Sequence, residues 1–168
     1  MPFEVVDRPI TEKEVVAGEL PKIGERTLIV DFEPGTLEDW TVTGEAFADV
    51  VISDDASQIH EPDMQINPSG KYFVSSGGTV NHKLVGTLTF VPFKVTHPFA
   101  SFKVSGGALQ DTRVELVSAD ENKVFFHITG SGRATLQPVV VDLKEHLRKN
   151  IFIRLIDNER GDIEFISR

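Results

Sequence analysis

The chain has 168 residues, enough for one domain with a full core, and a single all-β sandwich would use nearly all of them. Its 40% hydrophobic and 26% charged residues are ordinary for a soluble globular protein, and its formal net charge is −9. This acidic balance disfavours nucleic acid and anionic membranes as partners, because contacts to phosphate dominate affinity for nucleic acid. There is no cysteine, which excludes disulfides and thiolate zinc sites.

The N-terminal segment, residues 1–26, differs in pattern from the rest. Thr11 and Glu14 fit a capping box, which predicts a short helix over residues 12–20. We interpret the segment as a lead-in or linker, with a docking arm as the alternative. It lacks the basic start and apolar segment of a signal peptide, and no run approaches the roughly 20 apolar residues of a membrane span. We therefore expect either an intracellular protein or a domain of a longer secreted chain.

Residues 27–168 contain short apolar segments, each bounded by turn residues, which predict strands of one β-sandwich domain. Between these segments, residues 49–64 predict a long surface excursion and residues 142–149 predict one helical turn. About ten strands with little helix predict an all-β, two-sheet antiparallel sandwich of jelly-roll type. The predicted strands are residues 27–33, 40–44, 71–76, 84–91, 97–107, 112–118, 123–129, 139–143, 151–156 and 162–167.

Three of these strands have a predicted role in the core. In residues 97–107, Ala100, Phe102 and Val104 share one face, and the strand ends in the pair Gly106-Gly107, where the chain can turn sharply or a ligand can come close. Residues 27–33 place alternate apolar side chains inward. Residues 151–156 are apolar on both faces apart from one arginine, which predicts a central, buried strand.

An ordered set of motifs resembles a family of β-sandwich modules, of concanavalin-like or jelly-roll type, attached to bacterial fructan-active glycoside hydrolases. Residues 31–36 (DFEPGT) and 39–47 (DWTVTGEAF) are similar to the opening of these modules, and GTLT at 86–89 is similar to one of their strands. The resemblance extends over residues 27–157 and implies a non-catalytic, sugar-binding class. Further similar pieces are residues 98–107, 112–116, 139–143 and 153–157.

The segment after Asp157 departs from that family. The sequence continues NERGDIEFISR, where the family runs through a glycine-rich turn into a Trp-Gly-His segment. This departure favours a second hypothesis, in which the domain is a structural or protein-interaction sandwich that has lost its sugar site. A small glycan-active enzyme on the same sandwich is the third alternative. No catalytic residue is predicted, because the five histidines are scattered and form no HExxH motif.

Polar residues collect in the loops near the glycine pair, and they predict a carbohydrate site. Sugars require bidentate polar partners and close backbone approach. The expected ligand is a terminal sugar or short glycan; the alternative is ordinary loop polarity and cross-strand ion pairing. The predicted ligand-binding residues are Asn81, His82, Gly106, Gly107, Gln110, Asp111, Arg113 and Arg133.

Four carboxylates predict a calcium site. Asp31 and Glu33 share one face of the first predicted strand, and Asp162 and Glu164 share one face of the last. If these strands pair, the four could approach a single calcium ion, which prefers oxygen ligands, and the resemblance implies a structural calcium near this place. The alternative is a solvated acidic face. Together, these features lead us to expect an extracellular or cell-envelope carbohydrate-binding module, with neighbouring domains and without nucleic-acid binding or membrane insertion.

Overall fold

The computed structural model describes residues 4–6, 19–30, 32, 36–45, 47, 51–53, 72–74, 85–106, 112–129 and 133–158, with the backbone alone at 4–6, 51–53, 72–74, 105–106, 112 and 133–136. These residues form strands and one 3-10 turn, Lys144–His146. The predicted all-β, antiparallel fold class is confirmed. The strands are β1 (Glu4–Val6), β2 (Lys22–Ile23), β3 (Arg26–Thr27), β4 (Trp40–Gly44), β5 (Val51–Ser53), β6 (Tyr72–Val74), β7 (Gly86–Phe90), β8 (Phe93–Lys94), β9 (Phe99–Gly106), β10 (Thr112–Ser118), β11 (Lys123–Ile128), β12 (Arg133–Asp142) and β13 (Asn150–Asp157).

Two antiparallel sheets make up the body of the protein. The small sheet has the order β1-β9-β12, and the large sheet has the order β11-β10-β13-β7-β4, with β8 also pairing with β13. Two hairpins, β2-β3 and β5-β6, accompany them. Since β13 pairs with β10 on one side and with β7 on the other, the prediction of a central strand over residues 151–156 is confirmed.

The two sheets share one hydrophobic core. From β9 of the small sheet, Ala100, Phe102 and Val104 are at most 3% exposed, as the alternation in this strand predicts. They belong to the same buried cluster as Leu116 of β10 and Leu88 of β7 in the large sheet. Two sheets that bury their inner faces against each other form a sandwich, and this packing supplies most of the hydrophobic stabilisation.

Of the predicted strand over residues 27–33, residues 27–30 and 32 are described; the prediction is correct for the burial of its apolar residues and wrong for the hydrogen bonding of residues 28–30. Leu28, Val30 and Phe32 are at most 2% exposed, but β3 ends at Thr27, and Leu28–Val30 lie in no ladder. Instead, the Ile29 N–H donates to the Asp39 carboxylate at 2.9 Å, and the Ile29 carbonyl accepts from the Trp40 indole at 3.1 Å. Side chains therefore satisfy the backbone groups of Ile29, as burial requires, while the Leu28 N–H donates to the Pro21 carbonyl at 2.9 Å.

The N-terminal segment contributes to the small sheet. β1 pairs with β9, with Glu4 opposite Ser101 and Val6 opposite Phe99. Of the predicted helix over 12–20, only Glu19 and Leu20 are described, and Glu19 forms an isolated β-bridge. In the predicted excursion over 49–64, β5 forms and pairs with β6, while the predicted strand over 162–167 lies outside the described residues. Within the described chain, no helix has the length and apolarity to cross a membrane.

Candidate functional site

One end of the sandwich, which we call the glycine end, is defined by Gly44, Gly86 and Gly106. In the large sheet, Thr112, Asp157, Gly86 and Gly44 follow one another across β10, β13, β7 and β4 in register. In the small sheet, β9 ends at Gly106. Residues 107–111 alone join Gly106 to β10, so the two sheet ends lie within about 20 Å of each other.

The backbones of β4 and β7 come unusually close at this end. Gly44 has a φ of +80°, and a Cβ atom placed on it would lie 2.6 Å from the Val85 carbonyl oxygen and 2.8 Å from the Gly86 Cα. Only glycine fits this position, because both the backbone conformation and the available space exclude a side chain. The resulting surface presents backbone groups where side chains would otherwise cover them.

The structure brings three of the predicted ligand-binding residues to the glycine end. Gly106 and Arg133 lie opposite each other in the register of β9 and β12. Arg113 is the second residue of β10, which begins at the same end. The other predicted ligand-binding residues lie outside the described residues: Asn81, His82, Gly107, Gln110 and Asp111.

Arg113 takes part in a cross-strand ion triad on the outer face of the large sheet. Its Nε donates to Glu115 Oε2 at 2.7 Å, while Arg154 Nη2 lies 2.7 Å from Glu115 Oε1. The Glu115 side chain is 5% exposed, whereas the arginine side chains are 28% and 31% exposed. Burial alone would raise the pKa of Glu115, but the hydrogen bonds from both arginines outweigh it, so the pKa lies below its usual value.

Threonines continue this polar face towards β4. Arg154 lies opposite Thr89 of β7, and Thr89 lies opposite Thr41 of β4, so a polar row crosses four strands from Glu115. The sequence signal for it is the alternation of threonine with apolar residues in both strands, which sequence reasoning did not use. Hydroxyl and guanidinium groups in one row form a flat surface that can both donate and accept hydrogen bonds.

Asp157 is a further residue that sequence reasoning missed. It is 4% exposed and lies at the glycine end, between Thr112 and Gly86 in register. A carboxylate so far removed from water is a specific structural feature of this end, since burial of a charge is costly unless it is compensated. The sequence signal that could have identified Asp157 is its position directly after the predicted central strand, residues 151–156.

A groove of about 670 Å³ lies at the opposite end of the sandwich, between the β2-β3 hairpin and β8. Its walls include Ile23, Phe93 and His97. His97 Nε2 lies 3.0 Å from a carboxylate oxygen of Glu19, and His97 Nδ1 lies 2.9 Å from the hydroxyl of Thr96. Gly106, Arg113 and Arg133, the described residues of the predicted carbohydrate site, lie at the other end of the sandwich and are not among the residues that line this groove.

The predicted calcium ligands, Asp31, Glu33, Asp162 and Glu164, all lie outside the described residues. Among the residues that the structure does describe, no group of three or more histidine, aspartate or glutamate side chains is placed to hold a metal ion. In comparisons with known proteins, no family model, curated protein or solved structure matches the chain.

Proposed function

We propose that this protein is a non-catalytic carbohydrate-binding module that takes a terminal sugar or short glycan at the glycine end. The observation that supports it most directly is the register that sets Arg133 opposite Gly106, at the end of the sandwich where β10 also begins. A guanidinium group offers several fixed N–H donors, and glycine leaves the backbone accessible. Together they suit the vicinal hydroxyls of a sugar. In this proposal, the domain works outside the cell or in the envelope, as part of a longer chain.

The loop residues of the predicted site complete the proposed binding surface. Asn81 and His82 precede β7, while Gln110 and Asp111 precede β10, and both strands begin at the glycine end. Amide and carboxylate oxygens there would accept hydrogen bonds from sugar hydroxyls, while arginine would donate them. The ordered motifs of residues 27–157, which resemble sugar-binding modules, support the same ligand class.

Affinity electrophoresis on fructans and plant polysaccharides, together with a glycan array, tests this function. We expect retarded migration for at least one glycan, and we expect Arg133→Ala to weaken it by roughly tenfold or more, since a charge-assisted hydrogen bond contributes about 1.5–3 kcal/mol. Lys123→Ala is the matched control, because Lys123 pairs with Ser118 at the other end of the sandwich. If the unmodified protein binds no glycan above background in either experiment, the proposal is overturned.

The second candidate function is a structural or protein-interaction domain without a sugar site. The observation in its favour is the ion triad. Arg113 already binds Glu115 there, and this ion pair stabilises the sheet. A stable, folded protein that binds no glycan would support this candidate.

As a separate part of the proposal, Asp31, Glu33, Asp162 and Glu164 bind one structural calcium ion. A ligand that binds only the folded state raises its stability, by about 2.7 kcal/mol at a concentration one hundred times Kd. We therefore expect millimolar Ca²⁺ to raise Tm and excess EDTA to lower it, as measured by differential scanning calorimetry. The variant Asp162→Asn should reduce the Ca²⁺ effect, and a Tm unchanged by EDTA would remove calcium from the proposal.

A further inference from the structure

The edge strand β4 presents backbone groups that its own sheet does not use. The bonds from Glu45 N–H to the Val85 carbonyl and from Val91 N–H to the Asp39 carbonyl show that the odd-numbered residues of this strand face β7. Because backbone groups alternate in an antiparallel ladder, the N–H and C=O groups of Val42 point the other way, as does the N–H of Gly44. Within the described chain, β4 pairs with β7 alone, and its residues after Trp40 are exposed.

The other outer strands of the two sheets carry features that discourage pairing. β11 begins with Lys123 and contains a register shift against β10, and β12 contains Pro138 together with an irregularity after Arg133. β1 carries Glu4. Charges, prolines and bulges are the usual devices that protect a sheet edge from other chains.

β4 has none of these devices. Its sequence, WTVTG, contains no charge and no proline, and its pairing with β7 runs without a shift. It is rich in β-branched residues, and the side chain of Val42 is 37% exposed. An exposed edge with these properties is a site for strand addition.

We propose that β4 pairs antiparallel with β4 of a second copy of this chain, across a two-fold axis through Val42. The segment Thr41-Val42-Thr43 reads the same in both directions, so this register sets Val42 against Val42 and Thr41 against Thr43. Threonine–threonine pairs are favourable across strands, and the two exposed valine side chains cover each other. The backbone N–H of each Val42 donates to the carbonyl of Val42 in the other copy. The N–H of each Gly44 donates to the carbonyl of Trp40 in the other copy, which makes four intermolecular hydrogen bonds in all.

Charge at the ends of the paired segment is partly compensated. In this register, Glu45 of the second copy comes beside the Asp39 carboxylate, which Arg26 already binds at 3.1 and 2.8 Å through its two terminal nitrogens. The Arg26 side chain is 53% exposed and accessible to a second carboxylate. The two-fold axis repeats this contact, so at each end of the paired segment one guanidinium lies beside two carboxylates and compensates part of their repulsion.

Cysteine pairing tests the register, because the chain contains no cysteine of its own. In the proposed dimer, Thr41 and Thr43 form a non-hydrogen-bonded pair with Cα atoms about 4.5 Å apart, within disulfide range. Thr41→Cys and Thr43→Cys, mixed under mild oxidation, should therefore form a covalent heterodimer, with one of the two proteins carrying a size tag. Neither should form a homodimer efficiently, since identical positions lie two residues out of register. A mixture that yields no more covalent dimer than the separate proteins would contradict the proposal.

Val42→Pro tests the hydrogen bonds. Proline removes the N–H that points away from β7, so the internal ladder is kept while two of the four intermolecular bonds are lost. By sedimentation equilibrium, we expect a reversible dimer for the unmodified protein and an association constant at least about tenfold lower for this variant. Val42→Ile is the matched control and should leave the dimer intact. The proposal would be overturned if the unmodified protein stays a monomer at all concentrations, or if a folded Val42→Pro variant dimerises as well as the unmodified protein. Glycan binding is measured in a separate experiment, so the two proposals can fail independently.

Discussion

Replacement of Glu115 by glutamine is expected to lower the free energy of unfolding by roughly 3 kcal/mol, near the lower end of the range for breaking a buried ion pair. The carboxylate lies between Arg113 and Arg154 and accepts hydrogen bonds from both. Glutamine keeps the shape but leaves two guanidinium groups without their shared counter-charge. The loss stays at the lower end because both arginines are about one third exposed and regain part of their hydration.

Urea unfolding at neutral pH measures this loss, with Glu121→Gln as a control in an exposed turn. A pH series adds a second readout. Because the pKa of Glu115 is lower in the folded protein than in the unfolded chain, its stabilisation is complete above the unfolded pKa and is lost as pH falls through the folded pKa. We expect the variant to lose less stability than the unmodified protein below about pH 4.3. If the free energy of unfolding falls with pH in the same way in both proteins, the triad contributes little to stability.

Replacement of Gly44 by alanine is expected to cost at least about 2 kcal/mol, which combines left-handed backbone strain with a steric overlap. The new Cβ would lie 2.6 Å from the Val85 carbonyl oxygen, which belongs to the backbone and cannot move aside as a flexible side chain could. Relief of the overlap would push the ends of β4 and β7 apart and disturb the bond from Glu45 N–H to that same carbonyl.

Gly24→Ala separates the two causes of this loss. Gly24 also has a positive φ, +62°, but a Cβ atom placed there would meet no atom within 4 Å. We expect the control to lose only the strain, about 1–2 kcal/mol, and the Gly44 variant to lose clearly more in the same urea titration. Equal losses would mean that the close approach of the two strands is easily relaxed.

The sequence predicts burial better than pairing, and the segment around Ile29 shows why. Alternation of apolar side chains identifies Leu28 and Val30 as core residues, because burial depends on side-chain chemistry that the local pattern records. The missing ladder is not recorded there. It depends on Asp39 and Trp40, whose side chains take the hydrogen bonds of Ile29 from ten and eleven residues away.

The same distinction applies to the candidate site. Residue types and loop order direct attention to Gly106, Arg113 and Arg133, but their relation depends on strand register. An irregularity between Arg133 and Gln137 shifts β12 along β9, and no local pattern predicts where such a shift falls. Arg113 follows the ion-pairing alternative, although its partner, Glu115, lies two residues along the same strand; the cross-strand member of the triad is Arg154.

The central place of β13 has a consequence for synthesis of the chain. β13 is the strand that joins β10 to β7, so without residues 150–157 the large sheet exists only as two separate pairs, β10-β11 and β4-β7. A ribosome adds about 5–20 residues per second, so some time passes between the synthesis of β10 and that of β13. During this time a nascent chain exposes the edges of β7 and β10 together. Until β13 emerges, the edges of β7 and β10 that β13 will cover are open to pairing with other nascent chains.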